Sequence, residues 1–419
     1  MVRNVIGLLT WGVITISCQT SRPETTHSVA TLADSLTTEL RELHQKGFIN
    51  GFGAAIVSDQ GVLYAEGIGL ANTENQAPYT KNTIQNIGSV SKTFIGIALL
   101  KAQEQGALDL DDPIMDYLPF TVKNPSYPDL PITIRQLTTH TSTILDTDYY
   151  DEKSYVLKDN VHVPDSLKAI SENFNPPDAN MPLMDFLEKI LSVEGEWYEA
   201  AGFTENKPGE IYEYSNIGAT LAAAILETAT GQSFNEYATE HILIPLGMTS
   251  SGWSFEDVDL SVHSTLYADP ETELPYYSLV TYPDGGLITS ITDLGKYLSE
   301  LIKGYSGEGV LLTRESYQEI FREQLRAENL PGRSQEDDYD DEYNTGIFMG
   351  FTPRGYVGHT GGDPGIATFM FFQPSTKTGR IMMINTSVRN SGGVDQFYKT
   401  WYRLGDYEAR MNETAGNPQ

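Results

Sequence analysis

Ser89-Val90-Ser91-Lys92 follows Gly88 at the start of a segment in which Phe94, Ile95, Ile97, Ala98, Leu99 and Leu100 leave hardly any polar face. Residues three apart on a helix are neighbours, so Lys92 stands one turn beyond Ser89 on the same face and Ser91 points elsewhere. A lysine in the first turn of a buried helix loses solvation and sits at the positive end of the helix dipole, and both effects push its pKa down. An amine that sheds its proton beside a hydroxyl makes a serine nucleophilic near neutral pH. The same helix N-terminus can stabilise the oxyanion that forms next. Taken alone the pair says little, because a capping serine beside a lysine that snorkels to solvent has the same spacing.

Two further groupings carry compatible chemistry. After the turn Pro208-Gly209, Tyr212-Glu213-Tyr214-Ser215-Asn216 leads into an expected helix, Ile217 to Thr230, that Gly231 stops. Tyr214 could exchange a proton with Ser89 or a leaving group, and Asn216 could hold Lys92 and a substrate amide, although capping its helix is the commoner role. Gly358-His359-Thr360-Gly361-Gly362 closes a strand-like segment, where glycines let a substrate lie against the strand edge and meet a backbone N–H. His359 and Thr360 are expected to point polar groups into the same cleft. With an ordinary pKa near 6.5, His359 would be mostly uncharged at pH 7. A literal Lys377-Thr378-Gly379 lies between the apolar strands Ala367 to Gln373 and Arg380 to Ile384, and reads as a hairpin turn without a catalytic part.

In this order, Ser-x-x-Lys, Tyr-x-Asn, His-Thr-Gly, the motifs resemble those of the serine β-lactamase-like superfamily: class C β-lactamases, D-alanyl-D-alanine carboxypeptidases, D-aminopeptidases and related esterases. Ile132 to Ser142 extends the resemblance, Pro283-Asp284-Gly285-Gly286-Leu287 and Asp293-Leu294 look like that family's return to the sheet, and the whole covers about residues 33–405. It implies an α/β (α+β) fold, an antiparallel β-sheet flanked by helices with a mainly helical insertion over about 108–292. It also implies Ser89 as the acylated nucleophile, Lys92 and Tyr214 sharing general base and acid duty, and Asn216 orienting them. The N–H groups of Ser89 and Gly362 would form the oxyanion hole, with His359, Thr360, Gly361 and Gly362 along the substrate. His140, which invites a Ser-His-Asp reading, is structural at the corresponding place in that family. Members specialised for β-lactams or peptidyl-D-alanine usually carry lysine where this chain has His359, so the implied substrate shifts towards an ester or amide, small molecule or peptide. A penicillin-binding or class C-like activity, and a non-catalytic protein that binds peptidoglycan or a partner, are the alternatives. The chemistry needs neither a metal nor an organic cofactor.

The elements that must position these residues are partly visible. Leu36, Leu40 and Leu43 recur at helical spacing before Gly47, and Phe52 to Ser58 and Val62 to Gly69 flank a hairpin loop at Asp59-Gln60-Gly61. Strands Tyr356 to His359, Ala367 to Gln373 and Arg380 to Ile384 precede a helix from about Val394 to Leu404, and residues 406–419 are read as a tail. Strands from both chain ends are expected to share one sheet. Residues 146–207 show no usable periodicity.

The chain has 419 residues and a formal charge of −30, which argues against nucleic acid as a partner, and its single cysteine, Cys18, excludes an internal disulfide. Arg3, an apolar run from Val5 to Ile16, and Ser17-Cys18 have the layout of a signal segment and resemble a bacterial lipoprotein signal. Residues 1–18 are therefore expected to be removed up to a lipid-bearing Cys18, with 19–32 as a tether and the protein exported to the cell envelope and anchored to the membrane. The acidic run Glu336 to Glu342 lacks the glycine and spacing of an EF-hand and is read as a solvated loop.

Overall fold

The computed structural model describes residues 28–164, 167, 174–331 and 345–416. The signal segment, Cys18, most of the tether and the acidic run lie outside the described residues.

The strands in chain order are β1 (Gly51–Ser58), β2 (Gly61–Asn72), β3 (Ala77–Pro78), β4 (Ile84–Asn86), β5 (Tyr155–Leu157), β6 (Tyr267–Asp269), β7 (Thr272–Glu273), β8 (Tyr277–Leu279), β9 (Ile288–Ser290), β10 (Gly350–Phe351), β11 (Val357–Asp363), β12 (Ile366–Gln373) and β13 (Thr378–Ile384). One seven-stranded antiparallel sheet runs β10-β11-β12-β13-β1-β2-β3. Strands from the two chain ends therefore share one sheet, joined where Phe52 faces Ile384 and Ser58 faces Thr378.

Every residue of β1 is buried, because the sheet is covered on both faces and alternate side chains enter different cores. Ala55 and Val57 join the large core built on the helix Lys92–Glu104. Phe52, Ala54 and Ile56 join the core formed with Leu32, Leu36, Leu40, Phe397 and Trp401. The second set of helical residues comes from Val29–His44, capped by Ser28, and from Ser391–Gly416.

Three differences from the sequence reading have local causes. The last helix continues to Gly416 because Tyr407 and Met411 still face the core and Glu408 pairs with the buried Arg380, so residues 406–416 are part of the folded body. The insertion is less helical than expected: short helices alternate with two-stranded ribbons, β5 with β8 and β6 with β7. Pro283 to Leu287 do not return to the main sheet; Tyr282–Gly285 form a helical turn that leads into β9, which pairs with β4.

Candidate active site

Gly88 adopts φ +57, and a Cβ there would lie 2.7 Å from the Gly362 amide nitrogen. A Cβ on Gly361 would lie 2.1 Å from the Ile87 carbonyl oxygen and 3.1 Å from the Ser89 nitrogen. Glycines at both places thus let β11 run against the turn Gly88–Ser91. That approach brings the amides of Ser89 and Gly362 to one locality, the arrangement an oxyanion hole requires.

Lys92 opens the buried helix and is itself fully buried. Its Nζ lies 3.1 Å from Ser89 Oγ, 2.6 Å from Asn216 Oδ1 and 2.8 Å from the Asp284 carbonyl oxygen. Burial is the main influence lowering the Lys92 pKa, opposed by the negative charges of Asp284, Asp146 and Asp363. Two of its three neighbours can only accept hydrogen bonds. A neutral amine satisfies them with its two N–H groups, which leaves the lone pair for the Ser89 hydroxyl.

Asn216 starts the helix Asn216–Thr230 but does not cap it; Ser215 does, accepting from Gly218 N. Asp146 fixes the Asn216 side chain instead. Its carboxylate accepts from Asn216 Nδ2 (2.8 Å), Asn216 N (3.0 Å), Ile217 N (2.9 Å) and Ser215 Oγ (3.1 Å). With Nδ2 committed to a carboxylate, Oδ1 must face Lys92.

Tyr214 is partly exposed, with Lys92 Nζ 5.2 Å from its ring centre. The ring stacks on His140 at 4.4 Å and lies 6.3 Å from that of His359. His140 is buried in the left-handed backbone region at φ 54, and its Nδ1 accepts from Ser215 N at 3.1 Å. Burial, then the charge of Lys92, holds its pKa well below 6.5. A neutral imidazole whose Nδ1 is already an acceptor serves here as a backing plate for Tyr214.

His359 is 2% exposed, and its Nδ1–H donates to the Thr360 carbonyl. Burial lowers its pKa to about 3, so it offers no cation to a substrate carboxylate at neutral pH. Successive strand residues point to opposite faces, so His359 and Thr360 do not project side by side as expected; His359, Gly361 and Asp363 share the face turned to the nucleophile. Lys377 stands in the β12–β13 turn at φ 54, with its Nζ 3.6 Å from Asp59. Lys377→Ala should therefore leave ester turnover within about twofold of wild type, whereas His359→Ala, which opens a cavity beside Tyr214, should reduce kcat/KM at least tenfold. A steady-state comparison in which Lys377→Ala is the inactive variant would reverse the assignment of the third motif.

The low His359 pKa has a stability consequence whose sign is fixed. The unfolded imidazole takes up a proton below about pH 6.5, while the folded one resists until about 3. The contribution is complete above pH 6.5 and is lost as pH falls towards 3. Between pH 7 and 4 the Tm of wild type should drop further than that of His359→Gln, by at least about 2 °C. Parallel melting curves across that range test it.

Sequence reasoning missed the polar floor of the site. Asp284 Oδ2 accepts from Thr220 Oγ1 at 2.8 Å and from Tyr150 OH at 3.0 Å; burial raises its pKa to about 6, against the pull of Lys92. Asp363 Oδ1 accepts from Tyr155 OH at 2.6 Å. Among the described residues no cluster of three or more His, Cys, Asp and Glu could hold a metal, and no helix is long and apolar enough to cross a membrane.

An antiparallel sheet covered by helices, with Ser-x-x-Lys at the start of the buried helix and a glycine-rich strand against it, is the β-lactamase/transpeptidase fold. The chain belongs to the Beta-lactamase family, whose model matches residues 36–402. It is similar to Protein flp of Staphylococcus aureus (strain MRSA252), 28% identical over 259 residues, covering 61% of this chain and 46% of that protein. The chain thus spans about half the length of the curated relatives it matches. Among solved structures, the octameric penicillin-binding protein homologue from Pyrococcus abyssi superposes with a TM-score of 0.67 at 25% identity, covering 89% of this chain and 77% of that one. The D-amino acid amidase from Ochrobactrum anthropi SV3 gives 0.66 at 18% identity, covering 90% and 98%, a likeness of fold alone.

Proposed function

We propose that the protein is a serine hydrolase that cleaves an ester or amide through an acyl-enzyme on Ser89, with the activity of an esterase or of a D-aminopeptidase- or carboxypeptidase-like enzyme. The observation that carries this reading is the placement of Lys92 Nζ between two obligate acceptors, with its third position on Ser89 Oγ. Lys92 takes the Ser89 proton as Oγ attacks the carbonyl carbon. The N–H groups of Ser89 and Gly362 stabilise the resulting oxyanion. As the tetrahedral intermediate collapses, the leaving alcohol or amine receives a proton through Tyr214. Water, deprotonated by the same pair, then releases the carboxylic acid and restores Ser89. Asn216 and Asp146 position Lys92, and His140 positions Tyr214.

The neutral, buried His359 supplies no cation for the carboxylate that penicillins and peptidyl-D-alanine substrates carry on the amine side of the scissile bond, which favours substrates lacking a carboxylate there. Intact mass after exposure to p-nitrophenyl acetate and to a penicillin tests this. Wild type should form a transient acetyl adduct that Ser89→Ala lacks, and acquire little penicillin adduct. Absence of any Ser89-dependent adduct would leave a peptidoglycan- or partner-binding protein, and a stable or hydrolysed penicillin adduct would move the protein to penicillin-binding or class C chemistry. We further propose export and membrane attachment through lipid on Cys18, which labelling with a fatty acid in wild type but not in Cys18→Ser would support.

A further inference from the structure

Asp363 ends β11, one residue beyond the amide that faces the nucleophile turn. One carboxyl oxygen is spoken for, since Oδ1 accepts from Tyr155 OH. The other, Oδ2, accepts no hydrogen bond among the described residues and is not among the polar atoms sealed from solvent. Gly285 leaves room beside it: a Cβ there would lie 3.2 Å from Asp363 Oδ2 and 3.8 Å from the Gly88 carbonyl carbon. The free oxygen therefore lies in the neighbourhood of the turn that carries Ser89, on the face of β11 shared with His359.

The groups around it are Tyr155 and Tyr277 on the β5–β8 ribbon, Asp284 on the facing turn and Lys92 below. Lys92 is the only cation among its described electrostatic partners, and it is occupied by Ser89, Asn216 and the Asp284 carbonyl. Burial, with Asp284 adding to it, raises the Asp363 carboxyl to about 7 against the pull of Tyr155 and Lys92. A carboxyl held this way, with one oxygen bare beside the reacting centre, is completed by a cation from outside.

We infer that Asp363 is a specificity-determining residue that receives the ammonium group of an aminoacyl substrate, so that the acyl half of the cleaved ester or amide carries a free α-amine. The inference rests on the hydrolase reading for the orientation of the substrate. With the carbonyl oxygen between the amides of Ser89 and Gly362, a nitrogen two bonds from the carbonyl carbon falls beside the residue that follows Gly362. The arriving ammonium pairs with the ionised carboxyl, which is the form that predominates above about pH 7, and the salt link disfavours its protonation. A neutral acyl group leaves Oδ2 bare and gains nothing.

Calorimetric titration of Ser89→Ala protein, which binds without turnover, with D-phenylalanine amide and with 3-phenylpropanamide isolates the amine. The amine-bearing amide should bind at least tenfold more tightly at pH 7.5, where an α-amine of pKa near 8 is largely protonated. The preference should shrink towards pH 5.5 as Asp363 takes up its proton, and Asp363→Asn in the same background should abolish it. Equal affinities, undetectable binding of the amine, or a preference that survives Asp363→Asn overturns the inference. If that variant does not fold, the pH dependence in the parent decides. Loss of the predicted preference while p-nitrophenyl acetate still acylates Ser89 in wild type defeats this inference alone. An Asp363-dependent preference without any acylation defeats the hydrolase reading and leaves the amine site standing.

Discussion

Lys92→Met is expected to lower kcat for ester hydrolysis by about 10³-fold or more, because on the proposed mechanism it removes the group that takes the serine proton, and Tyr214, an ordinary phenol of pKa near 10 once the neighbouring amine is gone, is a poor substitute. His140 is neutral and turned to Ser215, and His359 is held to the Thr360 carbonyl. Methionine fills much of the lysine stem, so the cavity is small, but Asn216 Oδ1 and the Asp284 carbonyl lose their donor. Each such loss costs about 1–3 kcal/mol, offset in part because an amine is no longer buried. The rate loss should therefore greatly exceed the change in Tm, and measuring both on one preparation separates them. The wild-type rate should also rise with pH through a pKa below the ordinary lysine value, since burial lowers that of Lys92. A Lys92→Met enzyme within tenfold of wild type would remove Lys92 from the mechanism.

The second large effect is expected at Asp146, which touches neither Ser89 nor Lys92. Asp146→Ala strips the acceptor from two backbone N–H groups at the start of the helix Asn216–Thr230, from the Ser215 hydroxyl and from the Asn216 amide. Hydrogen bonds to a charged group contribute about 1.5–3 kcal/mol each, and a negative charge at a helix N-terminus adds to them. Because water can reoccupy part of the site, a net loss of about 2–4 kcal/mol is the reasonable expectation. The freed Asn216 side chain can turn, so kcat should fall about tenfold to a hundredfold with KM little changed. Asp146→Asn, which keeps one acceptor oxygen, should recover part of both. Wild-type Tm and kcat in Asp146→Ala would mean that Asn216 is held by something else.

Ser89, Lys92, Tyr214, Asn216 and the His359 to Gly362 segment were legible in the sequence because each is a short local pattern at an element boundary: the start of an apolar helix, a loop before a second helix, and the end of a strand. The structure brings these boundaries together, as the order of motifs anticipated. Asp146, Tyr150 and Tyr155 were not legible. Asp146 lies in a loop and the two tyrosines in short elements, Asp148–Ser154 and Tyr155–Leu157, too brief to show a period, and their partners are distant in sequence, as with Asp146 and Asn216 or Tyr155 and Asp363. The length of the last helix escaped notice for a related reason. Tyr407 and Met411 are spaced by one turn, but Glu408 reads as a surface residue until Arg380 is placed beneath it.

The pairing of β1 with β13 also dictates when the protein can come into being. On a ribosome, residues 51–58 emerge first and must wait for residues 378–384 before the centre of the sheet can close, and β11 arrives hardly earlier. Contacts of such wide sequence separation slow folding and lengthen the time in which apolar strands stand unpaired. The nascent chain thus holds Ser89 and Lys92 long before it holds β11, so these residues cannot take up their final arrangement until synthesis is nearly complete. Once closed, the same long-range seam must open before the molecule can unravel, which favours slow unfolding and a long-lived native state.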